Sequence, residues 1–414
     1  MSNASMPPLS ASTLNIKPWC AAIVVVFIGV LSGCATTVVK STNQTQLQLE
    51  NQYIAENELL DVGIVVFDPG IENIDDDDAI VFPEIRKAES HYMPYQLMDA
   101  MQRSAAWGAV RVVPNGSAAV DVLVTGDIKE SDGELLVLEV NATDSSGKTW
   151  FTKEYKRKAS RYSYDRKVNA PNDPFSGVYN EIANDLLTYK RKMRSVELQN
   201  LRVITELKFA KDFSPEAFQQ HVSVNKEGIY EIHRLPANND PMLERIRNIR
   251  ERDYLFVDTL QEYYGSFVRE METPYDQWRS QSYQEAMAIR ELKSQSRNRT
   301  IAGVAAVVGG IMAAGSGSGS AAAAGQIGVI GGGYLIKDGF DRRSDAKMHV
   351  EALQELGYSL ESDMEPHFIE LEDRTITLSG SVENQYEQWR EILRDIYRVE
   401  TGGVLSQSEP TTRP

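Results

Sequence analysis

The chain has 414 residues, 42% of them apolar and 25% charged, and carries a formal net charge of −16. That length exceeds one ordinary core, so more than one domain is expected, and the composition is that of a globular protein. The acidic balance excludes a nucleic-acid binder, which shows a basic patch or stripe, and excludes adhesion to anionic headgroups by charge alone.

Residues 1–17 are polar, with Lys17 as their single basic side chain, and an uninterrupted apolar run follows from Ala21 to Leu31. At about 1.5 Å per residue this run covers roughly half of a bilayer core, which suits a signal-peptide h-region better than a spanning helix. It ends in Leu31-Ser32-Gly33-Cys34, which resembles the lipobox of bacterial lipoproteins at every position. The resemblance implies that residues 1–33 are a signal peptide removed in front of Cys34, and that Cys34 carries a covalent lipid. Cys20 is then discarded and no thiol remains for a disulfide, a metal or a nucleophile. In that family Asp after the cysteine retains a protein at the inner membrane. Ala35 therefore points to the outer membrane, lipid-anchored and facing the periplasm.

Residues 34–57, rich in Thr, Gln and Asn, read as a tether with a helical turn near Leu47 and Leu49. From 59 to 190 the pattern alternates between strands and helices. Val62 to Phe67 is a buried strand stopped by Asp68-Pro69-Gly70, and Asp75 to Asp78 form an acidic loop. Pro94 precedes a helical spacing through Tyr95, Leu97, Met98, Met101 and Ala105. Strands follow at Val110–Val113 and 120–128, then a hairpin of 135–140 with 149–155 across Asp144-Ser145-Ser146-Gly147. A helix over about 174–190 places Val178, Ile182, Leu186 and Tyr189 on one face.

Several phrases here resemble the periplasmic α/β domain shared by the curli-secretion lipoprotein, the N-terminal domain of TolB and lipoprotein activators of penicillin-binding proteins. They are Phe67-Asp68-Pro69, the stretch from Ala119 to Ile128, Ser146-Gly147-Lys148-Thr149-Trp150 and Asp173-Pro174-Phe175. The resemblance covers about a third of the chain and rests on strand edges and turns, so it implies a fold far more than a function. In that family the domain binds proteins or builds rings.

Residues 191–300 read as helical and charged. Apolar positions from Leu243 to Met271 give one amphipathic helix, and Thr273-Pro274 is expected to start a second that carries Tyr275, Trp278, Ala286, Ile289 and Leu292. Such a pair suits a hairpin stalk, an oligomer contact or plain intramolecular packing. Residues 301–336 contain no charged side chain and are flanked by Arg297, Arg299, Lys337, Arg342 and Arg343. Ala302, Ala306, Gly310 and Ala314 recur every fourth residue before a Gly-Ser run, and Ala324, Gly328 and Gly332 do so after it. Small residues at this spacing let helix backbones approach closely, as in membrane glycine zippers. Two short helices folded back at the Gly-Ser turn are expected, either dipping into the membrane or packing against copies of themselves. A flexible linker is the plainer alternative. Residues 345–402 read as a small α/β unit in which Thr375 to Val382 resembles the strand-to-helix signature of the bacterial OsmY and nodulation domain.

The expected fold is thus α+β and multidomain. An N-terminal α/β sandwich domain (59–190) is followed by a helical hairpin (191–300), a glycine-zipper apolar hairpin (301–336) and a small C-terminal α/β domain (345–402). His91, His221, His233, His349 and His367 are scattered, and the acidic loop lacks the EF-hand spacing with its Gly and distal Glu. No Ser elbow, phosphate loop with Lys or catalytic triad is visible. The sequence therefore predicts no enzyme, no metal and no cofactor beyond the lipid on Cys34. It predicts a self-associating subunit of an envelope assembly or secretion complex, with outer-membrane lipid, copies of itself and an envelope protein as partners. The other reading is a lipoprotein regulator that reaches a peptidoglycan synthase, which needs a longer tether.

Overall fold

The computed structural model describes residues 45–73, 82–164, 173–237, 239–313, 367–371, 374–378 and 381–402. The protein is mixed α/β. In chain order its elements are β1 (Val62–Val65), α1 (Pro83–Arg103), β2 (Val110–Val113), β3 (Val122–Ser131), β4 (Leu135–Asp144), β5 (Thr149–Lys158), α2 (Ser176–Lys190), α3 (Ser195–Phe213), the single turn α4 (Pro215–Phe218), β6 (Val222–Val224), β7 (Tyr230–Ile232), α5 (Pro241–Ala313), β8 (His367–Leu371), β9 (Arg374–Leu378) and α6 (Val382–Glu400).

One five-stranded sheet organises them, in the order β2-β1-β3-β4-β5. The short apolar run of β1 lies parallel to both β2 and β3, whereas β3, β4 and β5 form an antiparallel meander. Lying between β2 and β3, β1 is apolar throughout rather than alternating, with Val62 and Ile64 fully buried on one face and Gly63 buried on the other. Gly126 on β3 makes room for the Phe67 ring, since a Cβ there would lie 2.8 Å from it.

Two expected helix starts prove to be helix interiors. α1 begins at Pro83 and runs through Pro94. A proline at 94 cannot bond the carbonyl of Ser90 one turn earlier, and that carbonyl instead accepts the Phe67 amide at 3.0 Å. The imide nitrogen thus frees an acceptor that pins the end of β1 to the helix. Likewise α5 does not break at Thr273-Pro274 but continues over 73 residues, about 110 Å at 1.5 Å per residue. The expected pair of antiparallel helices over this segment is therefore a single helix.

Most of α5 belongs to the core. Gln261 covers the free edge of β2: its Oε1 accepts from Val112 N and its Nε2 donates to Val112 O, both at 2.8 Å. One amide side chain thus pairs with the exposed backbone as a neighbouring strand would. Arg111 adds an ion pair to Asp258 at 2.6 Å. The C-terminal helix α6 also packs on α5. Trp389 stacks on Phe256 with centroids 5.2 Å apart, and Arg390 reaches Asp253 at 3.4 Å and Asp212 at 2.7 Å. The small strands β8 and β9, within the segment read as a small α/β unit, pair antiparallel, while residues 345–366 of that segment lie outside the described residues.

Candidate functional site

The lipidation residue Cys34 and its lipobox residues Leu31, Ser32 and Gly33 lie outside the described residues, as do Asp75 to Asp78, Ala314, Ala324, Gly328 and Gly332. Ala302, Ala306 and Gly310 fall on the helical backbone of α5. Positions four apart on an α-helix share a face. The described part of the expected tether is not a free linker. Residues 45–50 are non-helical and run along α2, with Leu47 packed against the core and Leu49 exposed.

This strap is recognised largely through its backbone. Asn180 Nδ2 donates to Thr45 O and Asn184 Nδ2 to Gln46 O, each at 2.9 Å. Asn184 Oδ1 accepts from Gln48 N at 2.7 Å, and Arg191 donates to Leu49 O at 3.3 Å. Glu50 N reaches Ser104 O at 2.8 Å, and Arg202 donates to the Glu56 carbonyl. Asn180, Asn184 and Arg191 recur at four and seven residues along α2 and so form one ladder on the helix. Asparagine is a poor helix former, and two of them one turn apart were the available sequence signal for this contact.

At Thr45 the strap lies at the end of the sheet that carries the β3–β4 turn. Arg157, near the end of β5, donates to Thr45 Oγ1 at 2.6 Å. Beside it Lys158 pairs with Glu134 at 2.7 Å, although the Glu134 side chain is only 2% exposed. Arg290 of α5 pairs with the same Glu134 and with Asp132 at 2.5 Å. The turn also holds α5 by shape. Gly133 has φ +83°, and a Cβ there would come within 2.5 Å of the Arg279 carbonyl oxygen.

Behind this turn lies a buried ionic network joining α1, β3, the start of α2 and α5. The Arg279 side chain is 1% exposed, reaches Asp173 at 2.7 Å and Asp276 at 2.5 Å, and sits over the Tyr275 ring at 4.2 Å. Burial alone would lower its pKa, but Asp173 and the surrounding tyrosines hold it well above the ordinary value. Glu89 is fully buried and accepts from Ser131 Oγ at 2.5 Å and Tyr275 OH at 2.6 Å. Burial pushes its carboxyl upward, against the pull of Arg86 and these two hydroxyls.

The other end of the sheet holds a cleft of about 540 Å³ between the loop at 115–120, α3 and α6. Lys208, Arg390 and Arg394 line it together with Asp212, Glu387 and Glu391. Arg390 and Arg394 are both within 3.5 Å of Asp212. Opposite charges in this balance compensate one another and leave no net trap for an anion or a cation. His221 and His233 are brought together through their backbones, His233 N donating to His221 O at 2.9 Å. His221 Nδ1 meets Arg234 O and His233 Nε2 meets Ser223 Oγ. Among the described residues no group of three or more His, Cys, Asp or Glu is placed to hold a metal. No helix among them is long and apolar enough to cross a membrane. No family model, no curated protein and no solved structure matches the chain.

Proposed function

We propose that this chain is a non-enzymatic lipoprotein of the bacterial outer membrane, a self-associating structural or accessory subunit of an envelope assembly. The domain division read from the sequence serves that role: a protein-binding α/β domain near the anchor, and a helical arm that ends in small residues. The observation that carries this reading is the course of α5. The helix is tied to the core at Arg290, and its helical backbone runs on through residues 291–313, roughly 35 Å at 1.5 Å per residue. That extension carries Ala302, Ala306 and Gly310, the spacing that lets helices of two copies approach closely. The strap argues against a regulator that reaches across the periplasm. Of the 23 residues expected as tether after Cys34, Thr45 to Glu50 are bound by α2 and Arg191, which shortens the reach.

Two experiments test this reading. Cys34→Ser should abolish acylation and sedimentation with outer-membrane fractions, and unchanged acyl labelling would remove the anchor. Gly310→Leu and Gly328→Leu should abolish a detergent-resistant oligomer while leaving fractionation unchanged, because Leu holds apart backbones that Gly lets touch. Val307→Leu is the control that keeps it. A monomeric parent protein in mild detergent, by mass photometry, would sink the assembly reading.

A further inference from the structure

We propose that the asparagine ladder of α2 is a groove for one extended backbone segment, and that in the assembly residues 45–50 of a second copy occupy it, each copy giving its strap to the other. The proposal rests on the self-association proposed above and names a contact that carries it.

The way the strap is held carries the argument. Residues 45–50 join neither a helix nor a strand, and α2 with Arg191 holds them as it would hold a separate peptide. Asn184 is bidentate: its Nδ2 donates to Gln46 O at 2.9 Å and its Oδ1 accepts Gln48 N at 2.7 Å, so one amide reads three residues of backbone. One turn earlier, Asn180 Nδ2 donates to Thr45 O. Gly177 completes the row, since a Cβ there would lie 3.2 Å from Thr45 N. Side chains set the register. Leu47 packs against the core, while Arg191 donates to Gln48 Oε1 at 3.1 Å and pairs with Glu50 at 3.0 Å. The bonds from the strap to α2 and Arg191 link residues 135 to 143 positions apart. None of them requires strap and groove to belong to one chain.

Two further observations point to exchange. Asn180 Oδ1 is buried and accepts no hydrogen bond among the described residues, so the strap in its own groove leaves one acceptor of the ladder unmet. Just after the strap, Asn51, Gln52 and Tyr53 are exposed, and Tyr53, at 93%, is the barest large apolar side chain among the described residues. These residues are the hinge. A two-fold exchange brings two hinges alongside one another and covers the ring. The occupant follows from what each alternative leaves unpaired. A foreign peptide in the groove exposes Leu47 and deprives Glu50 of Arg191. Reciprocal exchange fills both grooves with the sequence they already fit, and it closes at two copies. The hinge holds a strap at its own groove with an effective concentration on the order of millimolar, and a copy held alongside in an assembly competes on that scale.

The test co-expresses two differently tagged full-length forms, one carrying Thr45→Cys and the other Gly177→Cys, and oxidises them. A Cβ at 177 lies within disulfide reach of residue 45, and in this mixture the two meet only if straps are exchanged. We expect a linked 45–177 peptide by mass spectrometry, from a band of dimer mass on a non-reducing gel. The same two substitutions in one chain are the positive control. A link in the control and none in the mixture overturns the proposal. Mass photometry of the parent then separates it from the reading on which it rests: oligomers without the link leave self-association standing through another surface, and monomers remove both. Where the control itself fails to link, because the new side chain at 177 disturbs the groove, a benzophenone amino acid in place of the exposed Gln46 leaves the groove intact. Its attachment to α2 within the dimer band supports exchange, and attachment confined to the monomer band overturns it.

Discussion

The two ends of the five-stranded sheet solve the same problem by different means. At the end opposite the β3–β4 turn, carboxylates accept backbone amides. Asp121 accepts Asp61 N at 2.8 Å, Asp61 accepts Ala109 N at 2.8 Å, and Asp144 binds the turn that follows it and the Trp150 indole. The Asp144 contacts are local to the turn they close, whereas Asp61 and Asp121 join loops 48 and 60 residues apart. At the turn end, charge meets charge across long sequence separations, Arg279 with Asp173 and Arg290 with Asp132 and Glu134, and Arg157 donates to the Thr45 hydroxyl. Joining elements far apart in sequence needs directional contacts, and buried ion pairs supply direction better than apolar contact does.

The comparison can be broken most forcefully at Arg279. Arg279→Leu leaves Asp173 without its buried cation, and we expect a loss of about 3–5 kcal/mol, read as a lower melting temperature by calorimetry. A variant that melts with the parent would mean that apolar packing, not charge, holds the turn end. Gln261→Leu should cost about 1–3 kcal/mol, because the Val112 amide and carbonyl lose their partner. It should also promote association through the uncovered β2 edge, measured by light scattering. Retained stability and solubility would show that α5 covers the edge without that amide.

Smaller and more local is Asn184→Ala, which removes two of the strap's bonds at a cost of about 1 kcal/mol. Hydrogen exchange at the Gln48 amide should accelerate while the sheet amides keep their protection. Equal acceleration throughout would mean that the strap is part of the global fold rather than a separable element. A pH-dependent effect is expected at Lys190. Burial lowers its pKa from the ordinary 10.5 to about 8, partly opposed by Glu50 and Glu58. Its contribution to stability is therefore fully present above pH 10.5 and is lost as the pH falls through 8. Lys190→Met should accordingly gain on the parent as the pH is lowered from 10.5 to 8. Loss of the Nζ bond to Ala106 O offsets about 1 kcal/mol of that gain. Melting curves between pH 6 and 10.5 that run parallel for the two proteins would refute the shift.

The strands were legible because their patterns are local. β2 falls at Val110–Val113 as read, and the hairpin of β4 and β5 turns at the expected Asp144-Ser145-Ser146-Gly147. The helices were misread where proline served as punctuation. Nothing near Pro94 announces that its missing bond is compensated from β1, 27 residues earlier, because the Phe67 amide becomes a partner only in the tertiary fold. The strap was taken for tether for a related reason. A polar segment bound through its backbone has no apolar periodicity to reveal it, and its signal lies in Asn180 and Asn184 on another element. The charged turn end was illegible in the same way, since Glu134 and Arg290 look like any solvated pair until the fold brings them together.

The cover on β2 has a consequence for the order in which the chain emerges during synthesis. Strand β2 is complete at Val113, but Gln261, which closes its edge, lies 149 residues beyond Val112. A chain delivered N-terminus first can assemble the sheet while one side of it still offers unpaired amides and carbonyls to any neighbouring strand. The helix that closes this side is the same one that leads to the glycine-rich segment. The interval of greatest vulnerability to wrong pairing therefore ends only when the first third of α5 has emerged.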